Sequence, residues 1–295
     1  MDIRVLEYFL AVDREQSISA AARSLHISQP ALSTQLKALE KEVGSALFIR
    51  GVKGSRRVAL TEEGLLLRKR AEEIVELVRK TQRELSSEGH NIAGEVFIGT
   101  GESDTVRIFA KAAQKVRKDY PDITVHIRSG NASFVTEQLE KGLIDIGMVY
   151  GFVDSGRYES FRLPGCDRWG VLMRRDSPLA EKESLRPEDL WDRPLILSAQ
   201  SDSGRSIFSW LGKEPGQLNI VATYNLVFNA SLLVDEGMGY AICFDGLINV
   251  SQSGLCFKPL APALCSDGSV IWKRHGTLSK AASIFLKKLR EECGA

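Results

Sequence analysis

Cysteine is scarce in this chain of 295 residues, and none of its five cysteines lies in a CxxC pair or at a spacing typical of metal ligands. They are Cys166, Cys243, Cys256, Cys265 and Cys293. A disulfide framework and a structural metal site are therefore not expected, and free thiols in a reducing compartment are the simplest interpretation. A redox switch between two of them is the alternative, for which the sequence offers no support.

Long apolar runs are also missing. No stretch is long enough to span a bilayer, and charged residues interrupt the apolar part of residues 1–16, which argues against a secretory signal. We therefore predict a cytoplasmic protein that has no membrane partner.

Motifs of several common enzyme classes are absent. The chain has no GxSxG, no P-loop, no GxGxxG after a strand and no HExxH, and its four histidines are scattered at His26, His90, His126 and His275. An enzyme on an α/β fold is therefore a secondary hypothesis, and we predict no catalytic residue, no metal and no cofactor. A transport-type binding protein is a third hypothesis, but it would need an export signal.

Positive charge is concentrated at the amino end. Residues 1–70 hold twelve Lys and Arg against eight Asp and Glu, a balance of +4, so the other 225 residues carry −3 of the formal net charge of +1. An excess of this size does not establish a nucleic-acid partner, but it lies where one would bind.

The first sixty residues show the pattern of a helix-turn-helix. An apolar helix around Phe9 is followed by Ser17, a suitable cap for a second, Ala-rich helix whose small side chains let another helix approach closely. Ser28 then caps a third helix that has Pro30 in its first turn. The predicted buried stripe of this third helix is Leu32, Leu36, Leu39 and Val43.

A different face of the third helix carries short polar side chains and a cation. Such a face suits the major groove, where acidic groups would be repelled by phosphates, and Glu40 and Glu42 come only at the carboxyl end. An ordinary polar helix face is the alternative interpretation. The predicted DNA contacts of this helix are Ser28, Gln29, Pro30, Ser33, Thr34 and Lys37.

A basic hairpin follows the third helix. Residues 47–50 and 57–60 have strand character and are joined by a tip rich in Gly and Ser. Such a hairpin beside a recognition helix is typical of a wing that grips phosphate or enters the minor groove, whereas a solvated loop is the alternative. The predicted DNA contacts of the wing are Arg50, Lys53, Arg56 and Arg57.

From Thr61 the pattern is helical again. Apolar residues recur by four and three, as in the seam of a helix that pairs two copies of a chain, although a packed amphipathic helix would look similar. The predicted pairing residues are Leu67, Ala71, Ile74, Val78 and Leu85. The segment GHNIAG, residues 89–94, then predicts a hinge.

Residues 3–64 resemble the DNA-binding end of LysR-type transcriptional regulators, through FLAV (9–12), SISAAARSLHISQPALSTQLKALEKEVGSALFIR (17–50) and LTEEG (60–64). The resemblance implies that the principal DNA contacts are Gln29, Pro30, Ser33, Lys37 and Arg50. It also implies a homodimer or homotetramer on a promoter dyad, with RNA polymerase as a further partner. The wing is about one turn longer than is usual in the family, so its contacts transfer less directly than those of the helix.

Beyond residue 90, strands alternate with helices and the pattern restarts near residue 168, which favours parallel sheets. The layout resembles the LysR-type effector domain, which has two lobes like a periplasmic binding protein, with crossovers expected near residues 150–163 and 256–263. The predicted fold class is thus α/β, with a mainly α-helical winged helix-turn-helix at residues 1–60, a linker helix at 61–90 and an effector domain at 91–295. Lobe I would comprise residues 91–162 and 264–295, and lobe II residues 163–263.

Polar residues follow four of these strands, where α/β sheets bind ligands beside helix N-termini, although helix capping alone would also explain them. The predicted effector contacts are Thr100, Glu102, Ser103, Ser129, Asn131, Ser198 and Asn225. The family likeness implies a small carboxylated effector, whereas Glu102 would repel an anion unless Arg128 or Arg205 points inward. We therefore predict a small polar metabolite that alters lobe closure, and through it the DNA-bound oligomer, to regulate transcription.

Overall fold

The computed structural model divides the chain into two compact units, Met1–Ser86 and Ser87–Ala295. It describes residues 1–50, 58–86, 92–199 and 201–294, and for residues 50, 84, 86 and 201–205 it describes the backbone. The elements of the first unit are α1 (Ile3–Glu15), α2 (Ile18–Ser24), α3 (Gln29–Val43), β1 (Phe48–Arg50), β2 (Val58–Leu60) and α4 (Glu62–Ser86).

The core of the first unit forms where the apolar faces of its helices meet. Phe9 of α1 and Leu32 of α3 are fully buried there, and Ser17 caps α2 by accepting a hydrogen bond from the Ala20 amide. The predicted stripe of α3 is confirmed at Leu32, Leu36 and Leu39. It is wrong at Val43, which is 42% exposed because it is the last residue of the helix, beside the Gly44 cap.

The predicted hairpin is present as the antiparallel pair β1 and β2, in which Phe48 lies opposite Leu60. The amide of Val58 donates a hydrogen bond to the carbonyl of Gln16, which ties β2 to the end of α1. The base of the wing is therefore held against the helical core. Residues 51–57, which include Lys53, Arg56 and Arg57, lie outside the described residues.

The second unit alternates strands and helices along most of its length, as the sequence predicts. Its elements are β3 (Gly94–Thr100), α5 (Val106–Asp119), β4 (Ile123–Ser129), α6 (Ala132–Glu140), β5 (Ile146–Tyr150), β6 (Tyr158–Arg162), β7 (Asp167–Arg174), β8 (Leu195–Ser198), α7 (Ser201–Leu211), β9 (Ile220–Tyr224), α8 (Val227–Asp235), β10 (Tyr240–Phe244), β11 (Leu255–Pro259), β12 (Cys265–Ser266), β13 (Gly268–Lys273) and α9 (Lys280–Cys293). Short 3-10 helices lie at Pro178–Glu181, Pro187–Asp189 and Pro215–Gln217.

Two sheets define two lobes. The lobe I sheet has the order β4-β3-β5-β13-β6, and the lobe II sheet has the order β11-β7-β10-β8-β9 with β12 also paired to β7. The central strands of each are parallel, as predicted, but β13 runs antiparallel to β5 and β7 runs antiparallel to β10. Both sheets are therefore mixed. Helix α9 returns to lobe I, where Phe285 is fully buried in the core that contains Ile98 and Phe109.

The chain passes between the lobes later than the sequence indicates. Residues 158–162 form an edge strand of lobe I, so the first crossover is the short segment between β6 and β7. Residues 255–259 likewise belong to the lobe II sheet, and the second crossover lies at β12 and the start of β13. The predicted crossovers are wrong by about one strand because an edge strand and an extended connection have the same alternating pattern.

Candidate nucleic-acid interface and effector cleft

Helix α3 presents the predicted reading face to solvent. Ser28 caps it by accepting a hydrogen bond from the Ala31 amide, and Pro30 occupies its first turn. Gln29 and Lys37 are exposed, and Ser33 is half-buried between them on the same face, beside the buried stripe. Short polar groups and a cation thus share one accessible surface, which is what contact with base edges and phosphates requires.

The hydroxyl of Thr34 has a local partner. It donates a hydrogen bond of 2.9 Å to the carbonyl of Pro30 one turn earlier. Thr34 is exposed, and a hydroxyl that donates one hydrogen bond keeps both lone pairs for accepting others. The arrangement equips Thr34 for an apolar contact with a thymine methyl group or for accepting a hydrogen bond.

Both acidic residues of α3 are engaged away from this face. The carboxylate of Glu40 accepts hydrogen bonds from the amides of Leu47 and Phe48, at 2.9 and 3.3 Å, and so anchors the start of the wing. Glu42 pairs with the amino group of Met1 at 2.5 Å. The reading face consequently carries no carboxylate that would repel phosphate.

The turn between α2 and α3 depends on a left-handed residue. His26 has φ of 55°, and the next amide, that of Ile27, donates a hydrogen bond to the carbonyl of Ala22. This geometry ends α2 abruptly and redirects the chain into α3. His26 therefore has a structural role in this turn.

The amino end of α4 packs closely on the wing. Thr61 accepts a hydrogen bond from the Gly64 amide and donates one to the carbonyl of Ala46, so it caps α4 and holds the preceding segment. A Cβ atom at Gly64 would lie 2.2 Å from the carbonyl oxygen of Leu47. The glycine of the LTEEG segment is thus required by a close approach of backbone to backbone.

The predicted pairing residues of α4 are divided between a buried face and an exposed face. Ala71 is fully buried and Leu67 packs in the core of the same chain, so the expectation that these two contact a partner is corrected. The exposed fractions of Ile74 and Leu85 are 37% and 69%, and Val78 is half-buried. Two residues were missed: Val75, which belongs to the core, and Leu77, which is 41% exposed beside Ile74. The helix therefore has a buried face and an adjacent exposed apolar stripe.

A cavity of about 590 Å³ lies between the two lobes of the second unit. Lobe I contributes Glu102 and Asn131, and lobe II contributes Ser198 and Asn225, all from segments that follow strands. Asn131 also caps α6 by accepting a hydrogen bond from the Phe134 amide. These four residues are the predicted effector contacts that line the cavity, and a volume of this size suits a small metabolite.

The other predicted contacts lie elsewhere, which corrects the sequence-based assignment. Thr100 is 2% exposed and donates a hydrogen bond to the carbonyl of Gly101, so it faces the interior of lobe I. Ser103 is occupied by a hydrogen bond of 2.7 Å to Asp167. Ser129 is exposed at the end of β4, an edge strand, and is not among the residues that line the cavity.

A buried carboxylate ties the lobes together beside the cavity. Asp167, the first residue of β7, is 6% exposed and accepts hydrogen bonds from Ser103, Thr105 and Tyr150 of lobe I. Burial and the hydrogen bond to Asp167 raise the pKa of Tyr150 well above its usual value, so this tyrosine stays a donor. We call these four residues the Asp167 cluster.

A second polar contact crosses the cleft. Helix α8 has Leu226 at its N-cap, with no side-chain cap of its own, and Glu102 from lobe I accepts a hydrogen bond of 2.5 Å from the Val227 amide. The carboxylate thus occupies the position where a helix N-terminus would otherwise bind an anion.

Charged side chains give the cavity an acidic balance. Among the described lining residues, Glu102 and Asp267 are acidic and Arg162 is basic. Arg128 is not among the lining residues, since its guanidinium carbon lies 5.2 Å from the centre of the Phe97 ring, and the side chain of Arg205 lies outside the described part of the chain. The sequence-based assignment missed Arg162 and Asp267 because β6 was assigned to a crossover between the lobes and β13, which follows Asp267, was not predicted.

The match to known families covers almost the whole chain. Residues 3–65 match the model of a bacterial regulatory helix-turn-helix protein of the lysR family, and residues 89–294 match the LysR substrate binding domain. A helix-turn-helix unit joined to a substrate-binding unit defines a DNA-binding transcriptional regulator with an effector-binding domain. The chain belongs to the LysR family of such regulators.

Individual relatives agree with this assignment. The chain is 31% identical over 296 residues to the HTH-type transcriptional regulator BsdA of Bacillus subtilis (strain 168), which covers 97% of this chain and 99% of BsdA. It is 32% identical over 212 residues to TfdT of Cupriavidus pinatubonensis, covering 68% of this chain and 87% of TfdT. The crystal structure of the LysR family regulator CbnR shares the fold with a TM-score of 0.77 at 20% identity, covering 99% of both chains. CbnR has also been solved in complex with its target DNA, and that chain matches with a TM-score of 0.77 at 19% identity, over 99% of this chain and 100% of that one.

Membership of this family confirms the predicted fold class and agrees with the expectation that the protein is not an enzyme. Within the described ranges, no helix combines the length and apolar character needed to cross a membrane. The same ranges contain no group of three or more His, Cys, Asp or Glu side chains that could hold a metal ion.

Proposed function

We propose that α3 reads base edges in the major groove of promoter DNA, with Gln29 and Ser33 contacting bases and Lys37 contacting phosphate. The observation that carries this proposal is the engagement of Glu40 and Glu42 away from the reading face. Many helices expose a face of small polar groups and a cation, but solubility does not require both carboxylates of the helix to lie off that face. Contact with phosphates does require it, because a carboxylate there would be repelled.

Binding measured at several salt concentrations tests these roles, with DNA from upstream of the protein's own gene and with random DNA. Ser33→Ala should cost about 1–3 kcal/mol on the cognate site and leave random binding intact. Lys37→Ala should weaken both and reduce the slope of log K against log salt by about one. Ser24→Ala, the same chemical change on α2, is the matched control. Equal losses for Ser33→Ala on both DNAs would contradict the proposal.

The exposed stripe of α4 supports a homodimer, and its residues Ile74, Leu77 and Leu85 are the contacts. Three large apolar side chains at helical spacing are costly to leave in water, and a second copy of the same helix would cover them. Two recognition helices would then read half-sites of a dyad about one helical turn, or a multiple of it, apart. A homotetramer on DNA is the larger assembly expected, with RNA polymerase as a further partner.

Light scattering tests the pairing. The double variant Leu77→Glu and Leu85→Glu should lower the molar mass of the particle to that of a smaller assembly and weaken dyad binding. Leu65→Glu is the matched control, since Leu65 is 52% exposed but lies on the opposite side of α4. An unchanged mass in the double variant would exclude the stripe as the interface.

The cavity between the lobes binds a small polar metabolite that lacks an excess of negative charge. Glu102 and Asp267 would favour a cationic or hydrogen-bond-donating part of the ligand, and Arg162 a carboxylate or another acceptor. The Glu102 carboxylate already occupies the α8 N-terminus, so an anionic group would have to displace it. Zwitterionic or neutral polar metabolites therefore fit better than dicarboxylates.

A thermal-shift screen of the full chain tests the ligand class, because a ligand that binds the folded state raises the melting temperature. Zwitterionic and neutral compounds should raise the melting temperature of the wild type, and Glu102→Gln should reduce that gain. If dicarboxylates stabilise the wild type and Glu102→Gln strengthens their effect, Glu102 acts instead as a displaceable stand-in for an anion.

Effector binding would change lobe closure and thereby the DNA-bound oligomer. The Asp167 cluster and the Glu102 contact both join the lobes, and Tyr150 and Glu102 line the cavity, so a bound ligand would alter these contacts. Such a change acts as a population shift between assemblies that hold the DNA-binding ends at different spacings. Hydroxyl-radical footprints with and without a compound found in the screen should differ in extent, and identical footprints would rule this mechanism out.

A further inference from the structure

Two cysteines lie side by side where the chain crosses between the lobes. Cys166 is in the first crossover, directly before β7, and Cys265 begins β12 in the second. Both are free thiols and both are exposed to solvent. The other three cysteines are in lobe II strands or in α9, so the two crossovers hold this pair alone among the described residues.

Strand pairing fixes the position of the two thiols. Cys265 lies opposite Arg168 in the antiparallel pairing of β12 with β7, and Cys166 is two residues from Arg168. Cys166 directly precedes β7, so it lies one step beyond the paired residues and diagonal to Cys265 across the two crossovers. Backbone hydrogen bonds from Trp169 to Leu264 and from Leu163 to Gly268 hold the crossovers together on either side of the pair.

The Cys265 thiol also affects the ionisation of Cys166. The neighbouring Cys265 thiol, together with desolvation and nearby negative charge, raises the pKa of Cys166 to about 11. Cys166 is therefore almost fully protonated at neutral pH and is a slow first nucleophile.

We propose that Cys166 and Cys265 form a reversible intramolecular disulfide that joins the two crossovers, with a low-molecular-weight disulfide as the oxidant. The Cys265 thiolate attacks one sulfur of the small disulfide, which forms a mixed disulfide and releases one small thiol. Cys166 then loses its proton and attacks the Cys265 sulfur, which expels the second small thiol. Two protein thiols and one small disulfide thus become one protein disulfide and two small thiols.

The bond would act on the effector cavity. Cys265 lines the cavity, and the next residue, Ser266, accepts a hydrogen bond from the indole of Trp169, another lining residue. Joining the crossovers at this point would restrict the relative movement of the lobes and fix one wall of the cavity. This inference does not depend on the identity of the effector.

Peptide mapping tests the bond on the full chain. The reduced protein is equilibrated with mixtures of oxidised and reduced glutathione, its free thiols are alkylated, and it is cleaved with chymotrypsin. The expected product is peptide 162–169 linked to peptide 265–272, lost in Cys166→Ser and in Cys265→Ser and retained in the matched control Cys293→Ser. Because both exposed thiols are replaced by a group of similar shape, melting curves should show that the variants remain folded.

Three results would overturn the proposal. They are separate uptake of glutathione at the two sites, a link to another cysteine, and a link between molecules that appears as a dimer on a non-reducing gel.

Hydrogen exchange then tests the coupling to the crossovers. It should be slower in peptides 162–169 and 265–272 of the oxidised wild type than of the reduced protein, and unchanged exchange would refute the restriction of lobe movement.

Discussion

Glu40 provides the sharpest test of how the reading face is kept free of acid. Its carboxylate accepts hydrogen bonds from the amides of Leu47 and Phe48 in a half-buried position. A hydrogen bond to a charged group contributes about 1.5–3 kcal/mol, and the bond at 3.3 Å should lie below that range. We therefore expect Glu40→Ala to lower the free energy of unfolding of the first unit by roughly 2–4 kcal/mol.

Glu42→Ala is the matched control, because it removes the same charge two residues later. The partner of Glu42 is the amino group of Met1, and the two side chains are 56% and 36% exposed. An exposed ion pair of this kind contributes about 0–1 kcal/mol. Removing an acid near DNA should by itself strengthen binding slightly, so Glu42→Ala should raise DNA affinity while Glu40→Ala lowers it by displacing the wing.

Urea unfolding of the full chain measures the stability change, and amide hydrogen exchange locates it. The amides of Leu47 and Phe48 should exchange much faster in Glu40→Ala than in Glu42→Ala. Glu40→Gln, which keeps an acceptor without the charge, should lose about half as much stability, since neutral hydrogen bonds are roughly half as strong. Equal stability and equal exchange in Glu40→Ala and Glu42→Ala would refute the role assigned to Glu40.

Three further changes have expected outcomes in urea unfolding of the full chain. Gly64→Ala places a Cβ 2.2 Å from the carbonyl oxygen of Leu47 and should destabilise the first unit by about 1–3 kcal/mol, whereas no loss would mean that α4 can shift freely. His26→Gly relieves a left-handed residue and should stabilise by roughly 0.5–1 kcal/mol, with His26→Ala showing no such gain. Tyr150→Phe removes one donor to Asp167 and should destabilise the second unit by about 1–3 kcal/mol, and an unchanged midpoint would show that this donor is dispensable.

The helix-turn-helix was largely predictable because local rules decide it. The caps Ser17 and Ser28, the position of Pro30 and the stripe of Leu32 and Leu36 each follow from neighbours a few residues away. The partner of Glu40 was not predictable in this way, since the hydrogen bond from the Leu47 amide depends on how the wing folds back onto α3.

The effector cleft was predictable only in part, because some of its lining residues lie beside the crossovers, where the sequence does not distinguish a strand from an extended connection. The expectation that polar residues directly after strands line the cavity was right for Glu102 and Asn225. Thr100 is also at a strand end, but the alternation along β3 puts it on the same face as Val96 and Ile98, which belong to the core of lobe I. Arg162 and Asp267 lie beside the crossovers, where a strand and an extended connection have the same alternating pattern in the sequence.

Helix α4 has a buried face and an exposed stripe beside it. The angle between them would affect how a pair of chains places its two recognition helices on DNA. The face that contains Ala71 packs in the core of the first unit, and Leu77 of the exposed stripe lies about a third of a turn away around the helix axis. One extra residue inserted between them would turn the stripe by about 100° while leaving both surfaces chemically intact. The rotation of the stripe about the axis of α4, more than any single side chain on the helix, would then set which half-site spacings a homodimer can bind.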